Sequence, residues 1–143
     1  MIFTFPYRLQ PDIDPSPAAP DEPVYRPKIP MRLAGPHGDQ SLTLALVDTG
    51  ADETVVPFTL AKPLRVKLGS KVDALYGASG RPFQVRYGIV ELSIGDGANV
   101  YSWQAKVAFQ QGRRFSVLGY AGCLDRLGVR FDGPNRRVII TTP

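Results

Sequence analysis

Apolar and polar residues alternate along short runs of the chain, and turns rich in glycine and proline separate these runs. The clearest runs cover residues 41–47, 81–94 and 99–109. Alternation with a period of two is typical of strands that have one buried face. Shorter extended segments are predicted at 3–9, 24–33, 71–76, 115–119, 129–132 and 137–141. The pattern therefore predicts a mostly β protein of many short strands, organised as a small closed barrel or a sandwich.

Two segments depart from the alternating pattern. Between 120 and 127, Ala121, Leu124 and Leu127 recur at helical spacing and Gly128 follows as a stop signal, which predicts the one helix. Residues 61–68 fit neither period, and we interpret them as a loop with a short strand.

Proline is concentrated near the N-terminus, where residues 10–30 hold seven of the fourteen prolines. This composition favours an extended arm, which we interpret as a linker or clamp between the first strand and the main domain. Pro27 and Pro30 are compatible with an edge strand at 24–33 and incompatible with a central one. We therefore divide the chain into an N-terminal strand with its Pro-rich arm (1–23), a main domain (24–132) and a C-terminal extension (133–143).

Composition and charge narrow the class of protein. A chain of 143 residues with 43% hydrophobic and 21% charged residues is typical of one globular domain, and no apolar run reaches the ~20 residues that a membrane span needs. The N-terminus does not resemble a secretory signal and the single cysteine agrees with a reducing compartment, so we expect a cytoplasmic protein. The net charge of +4 arises from basic residues spread along the chain, which favours a solvated surface over nucleic-acid binding.

The candidate chemistry lies at residues 48–50, where an apolar strand runs into Asp48, Thr49 and Gly50. Such a turn can hold an acid at the floor of a cleft. Asp and Gly are also common in ordinary turns, but the apolar residues on both sides, ending in Val55 and Val56, favour the active-site interpretation. No metal site, phosphate loop or cofactor is predicted, because the single histidine has no second ligand nearby and no glycine pair precedes Lys-Ser or Lys-Thr.

Residues 46–55, Leu-Val-Asp-Thr-Gly-Ala-Asp-Glu-Thr-Val, closely resemble the active-site loop of retropepsins, the single-domain aspartic proteases typified by retroviral proteases. A flap-like hairpin at 71–94, the apolar-apolar-Gly element at 117–119 and a helix follow in the family's order, and Tyr-Arg-Pro at 25–27 resembles the family's Arg-Pro strand. The resemblance covers roughly residues 24–132. It implies an all-β fold with one short helix, a retropepsin-like acid protease barrel with one lobe per chain.

The resemblance implies an aspartic endopeptidase, in which two carboxylates share a proton and activate a water against a peptide bond. This chain supplies one such acid, Asp48. The only other acid-Gly-Ala sequence, at 96–98, lacks the hydroxyl residue and lies in a predicted hairpin turn. The resemblance therefore implies a homodimer with one Asp48 from each subunit at the two-fold axis, a polypeptide substrate and no cofactor.

The neighbours of the acid acquire roles from the same resemblance. Thr49 would hydrogen-bond across the two-fold axis, Gly50 would permit the tight turn, and Ala51 completes the active-site loop. Asp52 would bind the substrate backbone and pair with Arg26 of the other subunit.

The sequence departs from the retroviral pattern at three places. The predicted flap tip is Gly77, Ala78, Ser79 and Gly80, without the apolar residue found at the apex in the family. Tyr120 stands where the retroviral pattern has Arg. The extra residues at both termini imply a larger dimer sheet, in which 133–143 supplies a hairpin strand. These departures keep an alternative open, a weak or inactive retropepsin-fold module for dimerisation or peptide binding.

Overall fold

The computed structural model describes residues 1–77 and 79–143, and within them the chain is built from β-strands and two short 3-10 helices. The strands are β1 (Ile2–Pro6), β2 (Arg8–Leu9), β3 (Tyr25–Arg26), β4 (Lys28–Ala34), β5 (Gln40–Val47), β6 (Val55–Pro57), β7 (Asp73–Tyr76), β8 (Pro82–Gly95), β9 (Val100–Gln110), β10 (Ser116–Leu118), β11 (Gly128–Asp132) and β12 (Arg137–Thr141). The 3-10 helices are Phe58–Leu60 and Leu124–Arg126.

Six strands form a closed barrel, in the order β4-β5-β10-β6-β9-β8, and β8 pairs back onto β4. Two of the pairings are parallel, β5 with β10 and β6 with β9, and the others are antiparallel. Alternate residues of β4, namely Ile29, Met31 and Leu33, are fully buried inside. The predicted all-β barrel is thereby confirmed.

Strand β4 corrects the expectation of an edge strand at 24–33. Its whole length pairs with β5, but residues 32–34 also pair with β8, so this end of the strand is central. Pro30, which has no N–H, lies in the part of β4 that pairs with β5 alone, so no hydrogen bond to a second strand is lost there. Pro30 is therefore compatible with pairing on both sides at the other end of the strand, residues 32–34.

Strands β7 and β8 form the predicted hairpin, with Asp73 opposite Val85 and Tyr76 opposite Pro82. Beyond this hairpin, β8 continues for its remaining length alongside β9. The turn of the hairpin includes Gly80, whose φ of +73° suits glycine. Ala78, predicted at the same tip, lies outside the described residues.

The chain termini form a separate three-stranded sheet in the order β1-β12-β11. Phe3 and Phe5 of β1 and Val138 and Ile140 of β12 are buried in the same core as the barrel residues. Strand β12 is paired on both sides within the chain, so its edges are already occupied. The sheet draws strands from all three predicted segments, whose boundaries stay a prediction.

The helix predicted over 120–127 is confined to the 3-10 turn Leu124–Arg126. Two backbone N–H groups at its expected start, those of Tyr120 and Ala121, donate instead to residues of the candidate active-site loop. Gly122 then adopts a positive φ of +74°, which an α-helix does not contain. The strand predicted within 61–68 is absent, and turns and irregular backbone occupy this stretch. Within the described ranges, no helix is long and apolar enough to cross a membrane.

Candidate active site

Asp48 follows directly after β5, at the point where this strand runs parallel to β10. Val47, the last residue of β5, pairs with Leu118, and both side chains are buried. The backbone N–H of Asp48 donates to the carbonyl oxygen of Leu118 at 3.1 Å, which extends the ladder by one residue. The ends of two neighbouring strands, where Val47 and Leu118 are buried, therefore fix the position of Asp48.

The turn after Asp48 orients its side chain. The N–H of Gly50 donates to Asp48 Oδ1 at 2.9 Å, and the N–H of Ala51 donates to the Asp48 carbonyl oxygen at 3.2 Å. A Cβ at position 50 would lie 3.3 Å from Asp48 Oδ1, closer than ordinary van der Waals contact. Glycine therefore suits both the turn and the approach to the acid. Thr49 is exposed at the tip of the loop.

A second chain segment, residues 119–121, donates hydrogen bonds to this loop. The N–H of Gly119 donates to the buried hydroxyl of Thr54 at 3.0 Å. Tyr120 N–H donates to the Ala51 carbonyl and Ala121 N–H to the Asp52 carbonyl, both at 2.9 Å. These three bonds join the loop to the segment that follows β10.

Thr54 is a supporting residue that the sequence analysis missed. The residue is 1% exposed and stands between Glu53 and the buried Val55 at the start of β6. A buried hydroxyl needs a hydrogen-bond partner, but a threonine beside two acids gives no sign in the sequence that it is buried. The partner comes from a residue 65 positions away, and sequence spacing does not reveal it.

Replacement of Thr54 by valine is expected to lower the free energy of unfolding by about 1–3 kcal/mol, because it leaves the buried N–H of Gly119 without an acceptor while keeping the side-chain volume. Urea unfolding at fixed protein concentration measures the loss. Thr54→Ser keeps the hydroxyl and should lose less. Thr59→Val, at an exposed position, is the matched control. Equal stability of the Thr54→Val and Thr59→Val variants would contradict this role.

Glu53 links the loop to the barrel wall. Its carboxylate accepts a hydrogen bond from the Tyr87 hydroxyl of β8 at 2.5 Å. Burial raises the pKa of Tyr87, and the carboxylate of Glu53 raises it further. The phenol therefore stays protonated and continues to donate. Sequence spacing does not predict this contact, because Glu53 and Tyr87 are distant in sequence.

A cleft of about 480 Å³ lies between the Asp48 loop and the β7–β8 hairpin. Its volume lies in the usual range for a ligand site. The lining residues come from the loop, the hairpin and the segment before β10: Asp48, Gly50, Ala51, Asp52, Glu53, Val55, Ala74, Leu75, Tyr76, Gly77, Phe83, Arg113 and Val117. The predicted acid and Gly77 of the predicted flap tip thus face one cavity, whereas Ser79 and Gly80 do not line it.

Asp52 and Arg26 are not brought together within the chain. Asp52 is exposed and lines the cleft, and the ion pairs found among the described residues do not include it. Arg26 lines a different groove, and its Nε is buried without a hydrogen-bond partner in the described part of the chain. Their predicted pairing across a dimer stays a prediction.

The barrel, the acid that follows β5 and the hairpin across the cleft from it define a retropepsin-like fold. The structure is similar to that of a retropepsin-like aspartic protease from Rickettsia conorii, with a TM-score of 0.51 and 14% identity, over 98% of this chain and 91% of that one. It also matches EIAV protease with a TM-score of 0.39 and 20% identity, over 66% of this chain and 81% of the viral one. No family model and no curated protein matches the sequence. The fold predicted from the resemblance is confirmed.

Proposed function

We propose that this protein is an aspartic endopeptidase that works as a homodimer, with one Asp48 from each subunit. The observation that carries the proposal is the placement of Asp48, which directly follows the buried Val47 at the end of β5 and lines a peptide-sized cleft beneath a β-hairpin. The retropepsin-like fold supports the same chemistry.

In the proposed reaction the two carboxylates lie close together and share one proton, because two like charges at short distance do not both ionise. The ionised carboxylate takes a proton from a water molecule, whose oxygen attacks the peptide carbonyl carbon. The protonated carboxylic acid donates its proton to the carbonyl oxygen, and the tetrahedral intermediate then breaks the C–N bond as the amine nitrogen gains a proton. The hydrogen bond from Gly50 N–H would hold each carboxylate in its orientation.

A second subunit would supply the other acid, because the further acids that line the cleft have other roles: Glu53 accepts a hydrogen bond from Tyr87, and Asp52 is assigned to Arg26 of the other subunit. Asp96 accepts hydrogen bonds from the N–H groups of Ala98 and Asn99, so it stabilises the turn between β8 and β9. The unsatisfied Nε of Arg26 also supports a partner, because a buried guanidinium donor gains free energy when it pairs with a carboxylate. In the proposed dimer that carboxylate is Asp52 of the other subunit, and the exposed Thr49 bonds across the two-fold axis.

The terminal sheet can contribute to the dimer through its edges. Because β12 is already paired on both sides, a strand of the other subunit would add to the edge of β1 or of β11. The prediction that 133–143 supplies a hairpin strand of the dimer sheet is compatible with this arrangement, because β12 pairs with β11 inside the sheet that would be extended.

Dilution tests the two-subunit mechanism. Cleavage of a peptide from a combinatorial library is measured over a series of enzyme concentrations, together with the oligomeric state by sedimentation. Activity per subunit should fall on dilution in step with the dimer fraction, because the monomer holds half of the site. Constant activity per subunit in samples that sediment as monomer would rule out the mechanism. Failure of the dimer to cleave any library peptide between about pH 3 and 8 would rule out the protease itself.

A second candidate function is a peptide-binding module without catalysis. It is favoured by Tyr120, which stands 58% exposed beside the loop and leaves Asp52 without a basic partner among the described residues of its own subunit. Binding of library peptides by the dimer without any cleavage would support this candidate over the protease.

A further inference from the structure

Next to the cleft lies a second cavity of about 650 Å³, which we call the basic groove. Four cationic side chains line it, and Asp12 of the N-terminal arm is its one carboxylate. The cations are Arg26, Lys28, Arg113 and Arg114. The ion pairs of the described residues include none of these groups, so the groove has an excess of positive charge without a protein counter-ion.

Arg113 is the cation best placed to bind a ligand. Its Nε donates to Gln110 Oε1 at 2.7 Å, and its guanidinium carbon lies 5.2 Å from the centre of the Phe115 ring. These two contacts fix the orientation of the guanidinium plane. Its Nη1, however, is buried without a hydrogen-bond partner among residues 1–77 and 79–143. The guanidinium is therefore held in place, and part of its hydrogen-bonding capacity is not used by the described residues.

Arg113 also connects the groove with the candidate active site, because it lines both the groove and the cleft that contains Asp48. Strand β5 and the residue after it also connect the basic groove with the cleft. Leu46 lines the groove, and Asp48 two residues further on lines the cleft. Residues two apart in an extended chain lie about 7 Å from each other on one face.

The same spacing applies to a bound peptide. An extended substrate with its scissile bond over Asp48 has side chains about 7 Å apart on the face towards the protein. One of the side chains within two residues of the scissile bond would therefore reach the basic groove. Its neighbours there would include the exposed ring of Phe115 and the side chain of Leu46, which can contact methylene groups.

We infer that the basic groove is a specificity pocket for an acidic side chain of the substrate, and that Arg113 is the residue that selects it. The inference rests on the proposed peptidase function. A glutamate or aspartate carboxylate in the groove would accept a hydrogen bond from the Arg113 guanidinium, and hydrogen bonds between two ionised partners are shorter and stronger than neutral ones. A neutral side chain would leave the buried donor unsatisfied, and a basic one would add like charge.

Lys28 has other contacts and Arg26 has another proposed partner, so Arg113 is the main determinant of the proposed substrate selectivity. Lys28 Nζ donates to Gln10 Oε1 at 2.8 Å and lies 4.9 Å from the centre of the Phe115 ring. Arg26 is assigned to Asp52 of the other subunit in the proposed dimer. Arg114 is exposed, and Asp12 lines the same groove but forms no ion pair with Arg113 among the described residues.

Matched peptides test the inference. A cleaved library peptide is synthesised with glutamate or with glutamine at each position within two residues of its scissile bond, and kcat/KM is measured for both. The wild-type protein should prefer glutamate at one position by about tenfold or more. In the Arg113→Gln variant the ratio should fall to near one, and in Arg113→Lys, which keeps the charge and loses the planar fork, it should take an intermediate value.

The control variant is Arg32→Gln, which removes the same charge from an exposed position on β4 and should keep the wild-type ratio. Equal cleavage of the glutamate and glutamine peptides by the wild type at every position would overturn the inference and leave the peptidase function standing. A loss of preference in Arg32→Gln equal to that in Arg113→Gln would also overturn it, because net charge alone would then explain the selection.

If no peptide is cleaved, the peptidase proposal fails and the groove is tested by binding. Fluorescence anisotropy of labelled peptides with the Asp48→Asn variant then compares an acidic peptide with its amide counterpart. The groove is supported as a pocket for acidic side chains if the acidic peptide binds more tightly and this difference is lost when the Arg113→Gln substitution is added. Equal affinity for the two peptides overturns it.

Discussion

Replacement of Asp48 by asparagine is expected to lower peptide cleavage by about 10⁴-fold while the fold and the dimer persist. The amide has nearly the shape of the carboxylate, and its oxygen can still accept the hydrogen bond from Gly50 N–H. It cannot take a proton from water, and it cannot share a proton with a second carboxylate. A peptide assay, circular dichroism and sedimentation together measure activity, fold and dimer.

Asp96→Asn provides a matched control for charge and chemistry. Its side chain caps a turn through its Oδ1, which an asparagine reproduces, and the turn lies outside the cleft. This variant should cleave at the wild-type rate. Unchanged cleavage by Asp48→Asn would exclude Asp48 as the catalytic acid.

Mixtures of wild type and Asp48→Asn test whether each active site needs two acids. If subunits exchange at random, an equal mixture contains about a quarter wild-type dimers and retains about a quarter of the activity per total protein. A mixture that retains about three quarters of the activity would indicate that one Asp48 per site is sufficient, because the heterodimers would then cleave as well.

The sequence predicts the barrel strands well because their burial is periodic. In β9, Trp103, Ala105 and Val107 alternate with exposed neighbours, and the alternation follows from one face packing on the core. The position of Asp48 could also be predicted, since an apolar strand on one side and valines on the other leave the acid at a strand end.

The remaining features depend on contacts between distant residues. The spacing at 120–127 fits a helix, but hydrogen bonds from Tyr120 and Ala121 fix its start against the Asp48 loop, and the positive φ of Gly122 leaves only a 3-10 turn at Leu124–Arg126. The role of Thr54 depends on Gly119, and that of Arg113 depends on an Nη1 that has no hydrogen-bond partner among the described residues. No pattern within either segment contains this information.

The largest structural effect is expected from Gly119→Ala. A Cβ at this position would lie 2.1 Å from the carbonyl oxygen of Glu53 and 3.0 Å from that of Ala51. Both atoms are backbone atoms of the loop that carries Asp48, so no side-chain rotation relieves the clash. We expect a loss of about 3 kcal/mol in the free energy of unfolding, measured by urea unfolding at fixed protein concentration.

The same substitution should reduce catalysis in the protein that remains folded. The loop has to move away from Gly119, which weakens the hydrogen bond between Gly119 N–H and Thr54 and shifts the Asp48 carboxylate. A displacement of about 1 Å can cost about 10²-fold in rate, because the reacting atoms are held in a narrow geometry. The control is Gly133→Ala, where the added Cβ meets no atom within 4 Å. If both variants were as stable and as active as the wild type, the close contact at Gly119 would not position the acid, and the hydrogen bonds of residues 120 and 121 alone would have to hold the loop.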